Sequence, residues 1–315
     1  SLPPMDHPSQ RTRAMRPSIH TQLVNGVFGD PALLIDFKFE RRALLFDLGD
    51  VSALSTRQLL RVSDVFVTHA HMDHFAGFDH LLRVCLGRDT GIELWGPPGF
   101  VAQVGSKLAA YTWNVIENYE TEFVVVAHEL GPDWRVTSGR FASRSRFGRE
   151  DLGTRSLQPG VLVDTPEFRV RAAFLDHATP CLAYAFAEAF HIIVWKPRLH
   201  ALELPTGPWL TELRRLVRSG APEETPVAIR WRDRQGTRER RLTVGELKRQ
   251  VLELTPGQRL CYVTDVAMSE PNASRVVEFA AGADLLYIES AFLQADLEHA
   301  LRKSHLTAQY AGDLA

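Results

Sequence analysis

The sequence has few cysteines, little net charge and no long apolar run, and each absence excludes a class of protein. Cys85, Cys181 and Cys261 stand far apart without a CxxC pair, which argues against a disulfide framework or a structural zinc–thiolate site and suits a reducing cytoplasm. No apolar run approaches the roughly 20 residues that span a bilayer, so we expect no membrane segment. The formal net charge of −2 gives no global basic field that would by itself predict nucleic-acid binding.

Two common catalytic motifs are also missing. There is no Gly-x-Ser-x-Gly elbow for a serine nucleophile and no Gly-Lys loop for binding phosphates. Residues 1–14 lack the apolar stretch of a signal peptide, and we predict that they form a disordered leader ahead of Met15. The chain of 315 residues can bury a full core. We therefore predict a single domain over residues 15–315.

Apolar β-type runs alternate with helical patterns along this domain. We predict strands at 33–39, 43–47, 65–69, 92–96, 122–128, 168–177, 181–188, 260–265 and 285–290, and a hairpin at 227–244. We predict helices at 55–60, 80–87, 99–111, 209–220 and 274–282. The polar, arginine-rich stretch before residue 168 is typical of a loop. This alternation predicts a layered α/β protein whose chemistry lies at strand ends.

Metal-ligating residue types are concentrated in VFVTHAHMDH (65–74). Alternate residues of an extended segment point the same way, so His69 and His71 can share one ion. Asp73 and His74 follow where the chain turns into a helix, and they can reach a second position. Zinc prefers these nitrogen and carboxylate ligands. The alternative is a polar strand-to-helix loop with incidental histidines.

Two further candidates stand where later strands stop. His177 ends FRVRAAFLDH, and Asp265 ends LCYVTD. A carboxylate can bridge two cations with one oxygen each, whereas a neutral imidazole cannot, so we predict Asp265 as the bridge and His177 as a third nitrogen for the first metal. Taken alone, each residue is more typical of a loop or a helix cap.

The order of these motifs resembles a known family. HAHMDH, preceded by LLFDLGD and followed by a strand-end His and a strand-end Asp, resembles the metallo-β-lactamase superfamily, whose fold is an αββα four-layer sandwich with metals at one edge of the paired sheets. GADLLYIES followed by SHLTA resembles the ribonuclease Z family of tRNA 3′-processing endonucleases within it. The likeness covers nearly the whole chain from about Met15.

The resemblance implies a role for each site residue. One Zn²⁺ would be held by His69, His71 and His177, a second by Asp73 and His74, with Asp265 bridging, Glu289 and His305 beside the metals, and Asp47 supporting the ligands. Ribonuclease Z proteins supply one further histidine downstream of the segment matched here by SHLTAQYAGDLA. We therefore expect the second ion to be held less firmly, or its position to be empty. Mn²⁺ is an alternative metal, and the resemblance also implies a homodimer.

The implied chemistry is phosphodiester hydrolysis. Two zinc ions that share a hydroxide lower its pKa toward roughly 7 and neutralise charge on the phosphate. Asp73 can orient this hydroxide or take its proton. His305, held in one tautomer by Glu289, can protonate the leaving ribose 3′-oxygen. The expected reaction is the endonucleolytic removal of tRNA 3′ trailers.

Three segments are candidates for RNA contact. Residues 189–222, with Pro-x-Gly-Pro at 205–208, resemble the segment that builds the tRNA-binding arm of bacterial ribonuclease Z. Two arginine clusters could bind phosphates: Arg135, Arg140, Arg144, Arg146 and Arg149, and, around Trp231, Arg230, Arg232, Arg234, Arg238, Arg240 and Arg241. The alternatives are an ordinary loop and helix, and a merely solvated hairpin.

Two other functions stay open at this point. One is a small-molecule metallo-hydrolase of the same superfamily, acting on a thioester, a lactone or a cyclic phosphodiester. The other is a non-catalytic relative that binds RNA through the arm and the basic clusters.

Overall fold

The computed structural model describes residues 18–233 and 236–315. The leader predicted at 1–14, together with Met15 and Arg234, lies outside the described residues. The strands are β1 Ile19–Leu23, β2 Leu33–Phe37, β3 Ala43–Phe46, β4 Val62–Phe66, β5 Thr90–Gly96, β6 Phe123–Leu130, β7 Arg135–Ala142, β8 Arg149–Ser156, β9 Val161–Asp164, β10 Phe168–Asp176, β11 Pro180–Glu188, β12 Phe190–Val194, β13 Pro226–Asp233, β14 Gly236–Thr243, β15 Leu252–Pro256, β16 Arg259–Val263 and β17 Leu285–Ile288.

The helices connect and cover these strands. They are α1 Thr56–Leu59, α2 Met72–Phe75, α3 Phe78–Cys85, α4 Phe100–Ala109, α5 Lys196–Ala201, α6 Trp209–Arg218, α7 Val244–Val251, α8 Glu270–Ala280, α9 Leu297–Lys303 and α10 Ala308–Leu314. Within the described part of the chain, no helix is long and apolar enough to cross a membrane.

Two sheets pack face to face. The larger has the order β1-β2-β3-β4-β5-β6-β7-β8, and the smaller has the order β17-β16-β11-β10-β9. Aromatic side chains from both sheets fill the space between them, for example Phe46 of β3, stacked on Tyr184 of β11 at 5.6 Å between ring centroids. Helices α3 and α4 cover the outer face of the larger sheet, and α8 and α10 cover that of the smaller. The predicted αββα four-layer sandwich is confirmed.

Parallel pairing brings the site residues to one edge. Strands β3, β4, β5 and β6 are parallel, as are β16 and β17. Asp47 and His69 follow strands of the larger sheet, while His177, Asp265 and Glu289 follow strands of the smaller. Since the carboxyl ends of parallel strands meet at one edge of a sheet, side chains distant in sequence converge there.

The arginine-rich stretch before residue 168 is not a loop, and that prediction is wrong. Most of it forms β7 and β8, which pair with each other and extend the larger sheet beyond β6. Val136 and Phe141 are buried, whereas every residue of β8 is exposed. Pairing with β6 decides the structure of a sequence that is too polar to predict a buried strand.

The segment 190–256 builds its own small core. It begins with β12 and ends with β15, and these two strands pair only with each other. Trp209 and Leu213 of α6 pack here with Ile229 of the β13–β14 hairpin. Arg218 of α6 joins the unit to the sandwich through an ion pair with Glu40, at 2.5 Å. The arm predicted at 189–222 is the first half of this unit.

Candidate metal centre

Hydrogen bonds from the smaller sheet fix the segment that leads from β4 into the histidine motif. The hydroxyl of Tyr184 donates a hydrogen bond to the carbonyl of Val67 at 2.7 Å. The carbonyl of Thr68 accepts one from the backbone N–H of Leu182 at 2.9 Å. Both contacts come from β11 of the smaller sheet. They fix the end of β4, where His69 begins the motif.

Three histidines and one aspartate form a first group. His69, His71, His177 and Asp265 each offer one ligand atom, and these atoms all lie within 4.8 Å of one another. His69 Nε2 lies 2.8 Å from His71 Nδ1 and 3.5 Å from an Asp265 carboxylate oxygen. His177 Nδ1 donates to the carbonyl of Ser304 at 2.7 Å. That bond fixes the tautomer and leaves Nε2 of His177 for a metal.

A second and a third group share Asp265 with the first. Asp73, His74 and Asp265 form the second, and Asp265, Glu289 and His305 form the third. His74 Nε2 lies 3.2 Å from Asp265 and 3.5 Å from Asp73. Because Asp265 belongs to all three groups, it has the position that a bridging ligand needs. The structure thus brings together every candidate site residue named from the sequence.

Asp47 supports the second group through its contact with the ring of His74. Its side chain is fully buried and accepts hydrogen bonds from the backbone N–H of Thr68 at 2.7 Å and the hydroxyl of Tyr262 at 3.1 Å. It also lies 2.9 Å from Nδ1 of His74, which turns Nε2 of that ring toward Asp265. Sequence reasoning missed Tyr262 and also Thr264, which contacts Asp47 at 3.2 Å. An aromatic residue in a buried strand ordinarily signals core, so the sequence carried no signal for this role.

The site concentrates negative charge around His74. Burial lowers the pKa of His74, but the carboxylates of Asp47 and Asp265 outweigh burial and raise it to about 11. Burial and the charge of His74 lower the pKa of His69 to about 3. Burial raises the pKa of Asp265, but the hydrogen bond with His74 and the charges of the nearby histidines together outweigh burial and lower the pKa to about 2. The two buried carboxylates beside His74 thus stabilise one positive charge at this position, which suits a bound cation.

The backbone at the site is unusual. Asp47, Ala178, Asp265 and Ser304 have φ values between 42° and 60°, a left-handed region that such residues rarely adopt. Each of them is a site residue or directly adjoins one. Such conformations cost about 1–3 kcal/mol each and persist where the surrounding structure imposes them. Four other non-glycine residues have positive φ and lie away from the ligand groups, so these strained positions accompany the site but do not by themselves identify it.

A close backbone contact sets the distance between two loops of the site. A Cβ atom on Gly77 would lie 2.0 Å from the carbonyl oxygen of Gly49, and one on Gly49 would lie 2.5 Å from that of Asp73. Only glycine permits this approach of the loop after β3 to the loop of the histidine motif. The contact is reinforced by hydrogen bonds of Leu48 with the backbone of His74 and Gly77.

Glu289 and His305 form a pair beside the ligand groups. Glu289 Oε2 lies 2.9 Å from Nδ1 of His305, and Oε1 accepts from the backbone N–H of Val266 at 2.6 Å. The hydrogen bond to Glu289 raises the pKa of His305, against an opposing effect of burial. An imidazole held in this way can carry a proton toward the site.

The donor set fits a divalent metal. The first group combines three imidazoles with a carboxylate, and the second combines two carboxylates with an imidazole. Zinc and related divalent ions take such nitrogen and carboxylate ligands. The second group offers three side chains among the described residues, one of them the half-exposed Asp73.

Known proteins resemble this chain over most of its length. A family described as "Beta-lactamase superfamily domain" matches residues 33–171. Ribonuclease Z of Deinococcus radiodurans is 32% identical over 275 residues, which cover 86% of this chain and 78% of that protein. This chain belongs to the ribonuclease Z family. Ribonuclease Z of Treponema denticola is 24% identical over 281 residues, covering 86% of this chain and 73% of that protein.

Among solved structures, the short form of human tRNase Z aligns with 95% of this chain and 85% of its own, at 20% identity and a TM-score of 0.47. The alignments with these ribonuclease Z relatives cover 86% of this chain, so the similarity extends over most of its length and is not confined to a short motif.

Proposed function

We propose that the protein is a metal-dependent endoribonuclease that removes 3′ trailers from tRNA precursors. The observation that carries the proposal is the convergence of three ligand groups on Asp265, with the Glu289–His305 pair in the third of them. Membership of the ribonuclease Z family supports the substrate class. We infer that the metal is zinc, because imidazole nitrogens outnumber carboxylates in the first group.

His69, His71, His177 and Asp265 would hold one ion, and Asp73, His74 and Asp265 a second. When bound, such ions supply an activated water at neutral pH and neutralise charge on the attacked phosphate. Asp47 keeps His74 in the tautomer that presents Nε2 to the second position. Ser304 does the same for His177 through its carbonyl oxygen.

His305 is the proposed proton donor. Glu289 accepts the hydrogen bond from its Nδ1, which leaves Nε2 as the atom that can protonate the departing ribose 3′-oxygen. The cleaved tRNA then ends in a 3′-hydroxyl and the trailer begins with a phosphate. Asp73, which is half exposed beside the second group, would orient the attacking water.

We further propose that residues 15–315 form one catalytic domain and that the unit 190–256 is its tRNA-binding arm. The separate core of this unit and its attachment through two paired strands support the assignment. The arginine clusters are weaker candidates. Glu239 pairs with Arg230 and Arg241, and Arg140 pairs with Glu122, just before β6, and with Glu150 of β8. The homodimer and the cytoplasmic location stay predictions.

The decisive experiment offers the purified, metal-loaded protein three substrates: a tRNA with a 3′ trailer, a nitrophenyl phosphodiester and a thioester. We expect cleavage at the trailer junction to exceed turnover of the two small molecules. Preferred hydrolysis of the thioester would favour a small-molecule hydrolase. If the parent cut nothing while His69→Ala and Asp265→Ala proteins kept full RNA binding, the protein would be a non-catalytic relative.

A further inference from the structure

Two neighbouring cavities lie on the outer helices beside the histidine motif. The first, of about 330 Å³, lies between α2 and α4, and the second, of about 570 Å³, lies between α3 and the segment after α4. Ala70, which stands between the metal-ligand candidates His69 and His71, lines the first cavity together with Lys107. Tyr111 and Trp113 line the second. We call the two cavities together the α3–α4 groove.

An ion pair lies between the two cavities. Lys107 of the first cavity lies 3.2 Å from the carboxylate of Asp79, which lines the second. The ammonium group also sits 5.2 Å from the ring centroid of Phe75 and 5.9 Å from that of Phe78. It is thereby held at the junction. Because an ammonium group has three donors, the contact with Asp79 leaves others for a ligand.

The second cavity combines an aromatic wall with the polar side chains of Asp79, His80 and Arg83. Tyr111 is 45% exposed and meets Trp113 edge-on at 5.8 Å. Trp113 is anchored from behind, since its indole N–H donates to the carbonyl of Leu108 and its ring packs on Phe147. Arg83 and His80 line the same cavity, exposed on α3.

We propose that the α3–α4 groove binds the single-stranded RNA downstream of the cleavage site. Lys107 contacts a backbone phosphate, and Tyr111 and Trp113 stack on bases. Proteins bind single strands through this combination of a cationic groove and aromatic platforms. Cavities of this size accept a small ligand such as a nucleotide, not a base-paired duplex. This inference rests on the proposed function, because it assigns the trailer side of that substrate.

The test compares two exposed tyrosines of one segment. Tyr111 lies in the groove, whereas Tyr119 is similarly exposed, at 43%, and lines neither cavity. Binding of a fluorescent six-nucleotide RNA is measured by anisotropy for the full-chain parent, Tyr111→Ala and Tyr119→Ala. We expect Tyr111→Ala to weaken binding by about fivefold to hundredfold. Tyr119→Ala should bind as the parent does. Equal binding by all three proteins would refute the proposed binding of RNA in the groove.

Lys107→Gln gives an independent measurement. Losing one phosphate contact should lower the slope of log affinity against log salt by about 0.7. An unchanged slope would remove Lys107 from the proposal. Cleavage of tRNAs with one-nucleotide and six-nucleotide trailers then links the groove to the reaction, since only the long trailer should respond to Tyr111→Ala. If the parent cut neither tRNA, the proposed function would be wrong. The anisotropy measurement would still show whether the groove binds single-stranded RNA.

Discussion

His74 and His128 are both buried histidines in contact with carboxylates, but their surroundings differ. His74 is bonded to Asp47 and Asp265, and through Asp265 it adjoins every other candidate ligand. His128 has one carboxylate partner, Glu93 at 2.6 Å, and its other ring nitrogen lies 2.7 Å from the hydroxyl of Ser138.

The ring of His128 also stacks on Trp95 at 4.2 Å between centroids. Both of its nitrogens are thus used by neighbouring strands, and no ligand group among the described residues includes it. A buried histidine beside a carboxylate therefore does not make a metal site. A metal site needs several ligand atoms close to one point. At His74 these atoms come from both sheets, because the ends of their strands meet at one edge.

We expect the largest effect from a variant that removes one of the converging ligand side chains. His71→Ala removes an exposed nitrogen ligand from the first group and should strip that metal. We expect a rate loss beyond the roughly ten-thousandfold upper range of losing a general acid, because the activated water is lost with the metal. Metal analysis of parent and variant checks the cause. Equal metal in both proteins would refute the ligand assignment.

His305→Ala should separate proton transfer from metal binding. The side chain is a member of the third group through Asp265 and Glu289, but in our proposal it binds no metal. We expect trailer cleavage to slow by about a hundredfold to ten-thousandfold at unchanged metal content. A Glu289→Gln protein, which alters the partner of the same ring, serves as the comparison. Loss of metal in step with activity would make His305 a ligand instead.

Asp47→Asn should weaken the second ion more than the first. Asparagine tolerates the left-handed backbone of this position, so the change removes charge with little strain. Loss of a partner that orients a metal-binding histidine typically costs about tenfold to a hundredfold in affinity or activity. A zinc titration of parent and variant reports both ions. Equal weakening of the two would show that Asp47 supports the whole site and not His74 in particular.

The convergence of the candidate metal ligands could be predicted from sequence because their positions follow simple rules. His69 and His71 share a side by the two-residue period of an extended chain, and Asp265 follows a buried strand at a sheet edge. The supporting contacts could not be predicted in this way. Tyr262 bonds to Asp47 across 215 positions, and no local pattern encodes such a partner.

In two places the strand pairing could not be predicted from the local sequence pattern. The arginines of β7 and β8 suggested a loop on an RNA surface, but Glu122 and Glu150, which lie on either side of residues 135–149, pair with Arg140. The unit 190–256 closes through β12 and β15, whose pairing joins Phe190 to Pro256. Helix α6 showed its amphipathic period in the sequence, whereas the extent of the unit depends on a contact between distant strands.

The smallest effect should come from the second histidine of the comparison. His128→Phe keeps an aromatic ring on Trp95 but removes both hydrogen bonds, leaving the buried hydroxyl of Ser138 without its partner. An unpaired buried polar group costs about 1–3 kcal/mol, and we expect the free energy of unfolding to fall by that amount. Urea denaturation measures the loss, and His128→Phe combined with Ser138→Ala should recover part of it, because the unpaired hydroxyl is then gone.

Metal content and trailer cleavage should equal those of the parent at a temperature where both proteins are folded. If cleavage fell while the unfolding midpoint stayed unchanged, His128 would act in function rather than in packing, and the contrast with His74 would fail.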